Sequence, residues 1–368
     1  MKPFTASGRG LAAVLFLSVF TFGASALTAA AHGEKVLSDA ASLSHWAFSP
    51  SIVIMSLLAV LIYGRGMWRR QRAHNPPAPW RNVAYFAGLG VVFLALESPV
   101  DALADRLFWV HQIQHLLLRM LGPMLIALSA PEGALVAGLP ARVKRRMLNP
   151  VVSNAAVRWV FQFLSRAPVA FVVFLASLYI WQIPAVHNAA IKHEGLHYVM
   201  HVTMLAAGLM FFWLMFDRRD PPAAISRPVR LLMLIGTAVS NTLIGSITTL
   251  KTVELYTAYD AEGRLFGMAP LADEAIGGYM MWVPPSMMCL IAILIVLYAL
   301  GRQEERDYAR SKAWSRSNSA ALQFPQTAAE LRIKVAAVNQ ATGTTLAVVS
   351  AGMFILTIAT VVLLRALS

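Results

Sequence analysis

Two histidine pairs carry the chemistry most readily read from this chain: His111-Gln-Ile-Gln-His115 and His197-Tyr-Val-Met-His201. Residues four apart on an α-helix lie about one turn apart on one face, so each pair presents two imidazoles toward one point. Imidazole nitrogen suits copper, zinc and iron. A single pair is as compatible with an interfacial, hydrogen-bonded role as with a metal. Two pairs at matched depth on neighbouring helices favour the metal, because ionisable groups inside apolar spans are costly and mark function by default. His187 and Met281 are further donors within reach of the same end. Met200, Met204, Met268 and Met280 also fall toward that side. Thioethers suit Cu(I), but methionine also fills irregular cores, and each of these taken singly reads as packing. Arg119, four residues beyond His115, is a buried cation that needs a partner; Glu97, Asp273 and Glu274 are candidates. Ser240-Asn241-Thr242 can join helices through side-chain hydrogen bonds. The single cysteine, Cys289, offers neither a disulfide framework nor a thiolate pair.

The elements that position these groups follow from composition. Of 368 residues 58% are hydrophobic and 13% charged, with a mean hydropathy of +0.60. A soluble domain carries about a quarter charged residues, so the long apolar runs separated by short basic clusters specify a polytopic helical membrane protein. No alternation of the kind a transmembrane barrel needs is present. Residues 1–31 read as a signal peptide, with a signal anchor as the alternative: Lys2 and Arg9 precede the apolar run Leu11–Phe22, and Ala29, Ala30 and Ala31 supply a small-residue cleavage site. Cleavage there would leave His32 as a terminal chelating group. Eight spans follow, over 46–64, 82–98, 108–130, 168–185, 196–216, 229–250, 277–300 and 343–365. The expected fold is all-α: a bundle of seven core transmembrane helices within 32–300, a cytoplasmic linker over 301–342, and an added C-terminal helix at 343–365.

Placing residues 32–45 outside puts 24 of the 31 basic residues in cytoplasmic segments, which orients the chain. The net charge of +13 is therefore a matter of topology and anionic lipid headgroups, not of nucleic acid. With this orientation His74 is cytoplasmic, while His32, His45, His111, His115, His187, His193, His197 and His201 all lie at the outer face. A multi-pass location in the bacterial inner membrane follows.

The ordered motifs resemble the CtaG-like multi-span cytochrome c oxidase assembly factors linked to caa-type oxidases. The matching stretches are Glu97-Ser98-Pro99, His111 to His115 with Leu116-Leu117-Leu118, Gly122-Pro123, Trp181-Gln182-Ile183-Pro184, His197 with His201, and Ala207-Gly208 leading to Trp213. Ser240-Asn241 and the run Asp273-Glu274, Gly277-Gly278, Met281-Trp282-Val283-Pro284 complete the set. They cover roughly 80–300 in collinear order. Three departures stand out: Gln182 where such proteins usually carry histidine, Asp273-Glu274 for their Asp-Gln, and the extra C-terminal span. The resemblance implies a non-enzymatic assembly factor that binds copper at the periplasmic face and helps deliver it to a haem-copper oxidase subunit. His111, His115, His197 and His201 would be the ligands, with His187 or Met281 as extra donors. A periplasmic copper donor and membrane lipid are the other expected partners. Two further readings compete: a membrane cytochrome, whose i,i+4 pairs leave room for one outer-leaflet haem, and a metal-free scaffold for oxidase assembly. A secondary transporter finds little support, since no repeat with matched broken helices is apparent.

Overall fold

The structure is a computed structural model; it describes residues 44–219, 223–261, 263–317 and 327–367. The expected signal segment and His32 lie outside the described residues. Every regular element among the described residues is helical, and the protein is an all-α polytopic membrane protein. The main helices are α1 (Pro50–Arg72), α2 (Pro79–Glu97), α3 (Phe108–Ser129), α4 (Ala167–Gln182), α5 (Pro184–Lys192), α6 (Glu194–Met215), α7 (Arg227–Leu250), α8 (Pro270–Ser317) and α9 (Ala328–Leu367). Among the described residues six helices are long and apolar enough to cross a membrane, or up to eight if each of two bent pairs forms one span.

Proline and basic residues punctuate these helices where their physics predicts. Pro50, Pro79, Pro99, Pro184 and Pro270 each sit in a first turn, where a missing N–H is harmless. Arg69, Arg70 and Arg72 close α1 at its negative dipole end. The fourth span differs from its sequence outline. It is a 16-residue helix, α4, preceded by a short helix, Ala155–Leu164, at an angle of 78°. The short helix carries Trp159, Val160 and Phe163 exposed and buries no residue, the pattern of a helix lying in the membrane interface. The last two helices also outrun the apolar stretches that mark them: α8 continues to Ser317 and α9 begins at Ala328.

Helices associate in a bilayer through close packing, because lipid is as apolar as a leucine side chain. Glycine supplies that closeness at α3–α6 and at α7–α8. A side-chain carbon on Gly208 would lie 2.2 Å from the carbonyl oxygen of Arg119, and one on Gly278 would lie 2.6 Å from the backbone nitrogen of Thr249. Below the α3–α6 contact, Phe174 of α4 stacks on Phe211 of α6 at 4.0 Å, with Phe212 edge-on. These rings anchor the largest core cluster, which also takes in Met120, Met124, Leu234 and Cys289.

Midway along α3 the helix widens into a π-turn over Leu117–Leu121, where Gly122 donates its N–H to the carbonyl of Leu117. Pro123 explains the widening. It has no N–H to give to the carbonyl of Arg119, four residues earlier, so the regular ladder cannot continue through that point. The freed carbonyl is the one that Gly208 approaches.

Candidate metal centre

The residues that hold the site in place form a polar girdle at one end of the bundle. Asp273, near the start of α8, accepts hydrogen bonds from the backbone N–H groups of Phe108 and Trp109 at 3.0 and 2.9 Å, capping the first turn of α3 from another helix. Arg264 binds Asp273, Glu274, Asp260 and Glu254 together. Its own burial works against its charge, but Asp260 and Asp273 outweigh that and raise its pKa. Glu274 pairs with Lys251 and accepts from the N–H groups of Leu255 and Tyr256. The loop between α7 and α8 is thereby fixed across the top of the bundle, and its Tyr256 and Tyr259 are buried.

Beneath this girdle α3 and α6 bring their histidines together. Ring centroids are 4.3 Å apart for His111 and His115, 4.4 Å for His197 and His201, and 5.0 Å for His111 and His197. His201 lies 5.8 Å from each of His111 and His115. One nitrogen each from His111, His115 and His201 can be chosen so that all three lie within 4.8 Å of one another. His111, His115 and His201 are buried and His197, one turn nearer the surface than His201, is half-buried. The Nε2 atoms of His111, His197 and His201 and both ring nitrogens of His115 are buried without a hydrogen-bond partner. Buried polar atoms are nearly always satisfied, so this cluster of orphaned nitrogen atoms sets the centre apart from ordinary membrane packing.

His187, at the middle of α5, occupies a different role in the geometry. Its Nδ1 lies 2.9 Å from the carbonyl oxygen of Trp181, and its Nε2 lies 2.8 Å from the Tyr259 hydroxyl. That hydroxyl lies 3.0 Å from Nδ1 of His111. The proton positions follow by elimination. A carbonyl can only accept, so His187 donates from Nδ1 and its Nε2 accepts from Tyr259. The phenolic oxygen then accepts from Nδ1–H of His111, leaving the lone pair of His111 on Nε2, toward the cluster. Burial pushes His187 down to about 4 and keeps its ring neutral, and the hydrogen bond to the Trp181 carbonyl only partly offsets that shift. Burial, with Asp273 and Asp105 nearby, holds the Tyr259 phenol well above its ordinary value and so protonated.

The other residues singled out in the sequence are also placed. Met281 is buried against Phe108, Tyr256 and Tyr259, and with Met280 lines a small cavity beside His115. Met200 and Met204 pack against Leu178, Trp181 and Ala190, and Met268 packs near Leu107 and Val110. His45 and His193 are exposed at the surface. Gln182 donates to Oε1 of Gln112 at 2.7 Å and accepts from the Tyr256 hydroxyl. The expected partners of Arg119 prove wrong: Asp273 and Glu274 hold Arg264, and Glu97 accepts the N–H of Ser49 at 2.7 Å. Arg119 instead donates to the carbonyl of Phe174 and to Ser177. Tyr259 and Gln112 are the contributors that sequence reasoning passed over. The tyrosine lies in a loop that reads only as acidic, and the glutamine sits between the histidines of a motif whose histidines draw the attention.

Residues 61–303, about two thirds of the chain, match the family described as cytochrome c oxidase caa3 assembly factor. The chain belongs to that family. The resemblance carried by the ordered motifs is thereby borne out, and the matched segment of this caa3 assembly factor family member includes all of α2 to α7 and the whole histidine cluster. Uncharacterized proteins of Mycobacterium bovis and Mycobacterium tuberculosis are each 23% identical over 274 residues, covering 73% of this chain and 41% of theirs. One from Mycobacterium leprae is 23% identical over 267 residues, covering 71% and 40%. The chain thus spans about two-fifths of the length of the curated relatives it matches. No solved structure matches it.

Proposed function

We propose that this chain is an inner-membrane copper-handling factor for the assembly of a haem-copper oxidase, carrying the metal as cargo at its periplasmic end. The observation that supports this reading best is the set of buried, partnerless imidazole nitrogens on His111, His115, His197 and His201. Neutral imidazoles bind copper through one nitrogen each. Family membership supplies the oxidase. A haem-copper oxidase subunit is the proposed recipient, a periplasmic copper protein the donor, and the surrounding lipid the third partner. Nothing in this role calls for covalent catalysis.

In this proposal the depth of the four histidines gives the order of events. His197, half-buried at the mouth, meets the ion first. His111, His115 and His201 then hold it, with Nε2 of His111 aimed inward by Tyr259 and His187. His187 keeps both ring nitrogens in hydrogen bonds, so it positions His111 and is not itself a ligand. Met281 remains a soft donor beside His115. A three-nitrogen site with one outer ligand that swings away can release its ion to a partner, as delivery requires. The cavity beside His115, about 20 Å³, is far smaller than the several hundred Å³ of a cofactor pocket, which disfavours the haem reading.

The test is complementation of a bacterial host that lacks its own copy of this protein. Wild-type chain should restore an oxidase with its full copper-to-haem ratio. The triple variant His111→Ala, His115→Ala, His201→Ala, present in the membrane at the same level, should yield oxidase with copper depleted. Full copper with the triple variant would instead favour the metal-free scaffold.

A further inference from the structure

A second site lies directly beneath the imidazoles. Arg119 is 3% exposed at mid-depth on α3, and its guanidinium stacks on the Phe174 ring at 3.8 Å. Its hydrogen bonds run to the Phe174 carbonyl at 2.9 Å and to Ser177 Oγ at 3.3 Å. All of these partners are neutral. Among the described residues no carboxylate reaches ion-pair distance of Arg119. The titratable groups near enough to act on it electrostatically are the Cys289 thiol, the Tyr179 phenol and the His115 imidazole. A buried charge normally has a counter-charge, because leaving one unpaired in a medium of low dielectric constant is strongly unfavourable.

Arg119 lines the cavity of about 20 Å³ together with Gln112, His115, Met120 and Met281. Gln112 contributes a second donor. Its Oε1 accepts from Gln182, which fixes the orientation of the amide, and its Nε2 is buried with no partner. Arg119 and the orphaned amide of Gln112 thus belong to residues lining one small cavity, with room for at least one water-sized particle.

We infer that this cavity binds a small monovalent anion of halide size, held by Arg119 and Gln112 and lying just below His115. The anion offsets the charge of Arg119, and when a metal cation occupies the imidazoles above it offsets part of that charge too. The site stands on the geometry of Arg119 and Gln112 and does not depend on the metal reading.

Bromide is the probe, counted by elemental mass spectrometry after equilibrium dialysis of the full detergent-solubilised chain, metal-free and copper-loaded. Metal-free wild type should take up about one bromide per chain, saturably and in competition with chloride. Arg119→Lys should retain it, and both Arg119→Gln and Gln112→Ala should lose most of it. An exposed-arginine control, Arg142→Gln, should match wild type. Chloride in place of gluconate at equal ionic strength should raise the melting temperature of wild type by several degrees. Should Arg119→Gln fail to fold, the wild-type competition and melting series still decide. Uptake that is absent, non-saturable, or equal in wild type and Gln112→Ala overturns the site and shows that water fills the cavity. Copper bound without bromide overturns the anion site and leaves the metal centre standing; bromide bound without copper does the reverse.

Discussion

The carbonyl oxygen of Arg119 and the α-carbon of Gly208 meet so closely that a single added methyl group would sit 2.2 Å from that oxygen. The contact joins the two helices that carry the histidine pairs, within two turns of the imidazoles on either side. It sets the relative depth of His111–His115 and His197–His201. Gly208→Ala should push α3 and α6 apart, destabilising the chain by about 1–3 kcal/mol, as overpacking typically does. Melting in detergent measures the loss. The copper capacity of the variant should fall with it, because the nitrogens of His111, His115 and His201 no longer converge. Unchanged melting would mean the helices give way more easily than their backbone contact implies.

Tyr259 is the hinge of a relay that runs from the Trp181 carbonyl through His187 to His111. Tyr259→Phe removes one oxygen, frees His111 to take either tautomer, and strands Nε2 of His187. Loss of such an orienting partner typically weakens metal affinity about 10–100-fold. Competition against a Cu(I) chelator reads that change directly. His187→Phe should act in the same direction through Tyr259, whereas a ligand role for His187 would also change the coordination number seen by X-ray absorption.

Asp101, in the short helix Pro99–Ala104 beside the C-terminal end of α2, accepts from Gln114 Nε2 at 2.6 Å. Burial pushes its carboxyl up to about 7. The Gln114 hydrogen bond opposes that shift, and Glu97 nearby reinforces it. The folded pKa lies above the unfolded one, so the folded state binds the proton more tightly. Its contribution is fully present below about pH 4 and is lost as pH rises through about 7. The melting temperature of wild type should therefore fall between pH 5 and 8 relative to Asp101→Asn, whose profile should be flatter. A wild-type profile parallel to that of the variant would contradict the shift.

The parts of this fold legible in the sequence are those set by local rules. Apolar run lengths mark the spans. The four-residue spacing in His111–His115 and His197–His201 is a property of one helix at a time. What could not be read depends on contacts between distant segments. Tyr259 reaches His111 because Arg264 ties its loop to Asp273 and Glu274, and no local pattern announces that loop. The partner of Arg119 went astray for a related reason. Sequence offers carboxylates for a cation, but the π-turn before Pro123 and the stacked Phe174 direct the guanidinium toward neutral oxygens instead. The short helix Ala155–Leu164 escaped notice because its ten residues are too few for a span and the polar pair Ser165-Arg166 parts it from the apolar run that follows.

The most direct test of the account is element-resolved metal analysis of the purified, detergent-solubilised chain after loading with copper. A variant carrying His111→Ala, His115→Ala, His197→Ala and His201→Ala is run beside it, with its melting temperature recorded. About one copper per wild-type chain is expected, bound through imidazole nitrogen, and almost none in a variant that still folds. Equal copper in both, or none in wild type after loading, would contradict the metal centre and leave the histidines a structural role.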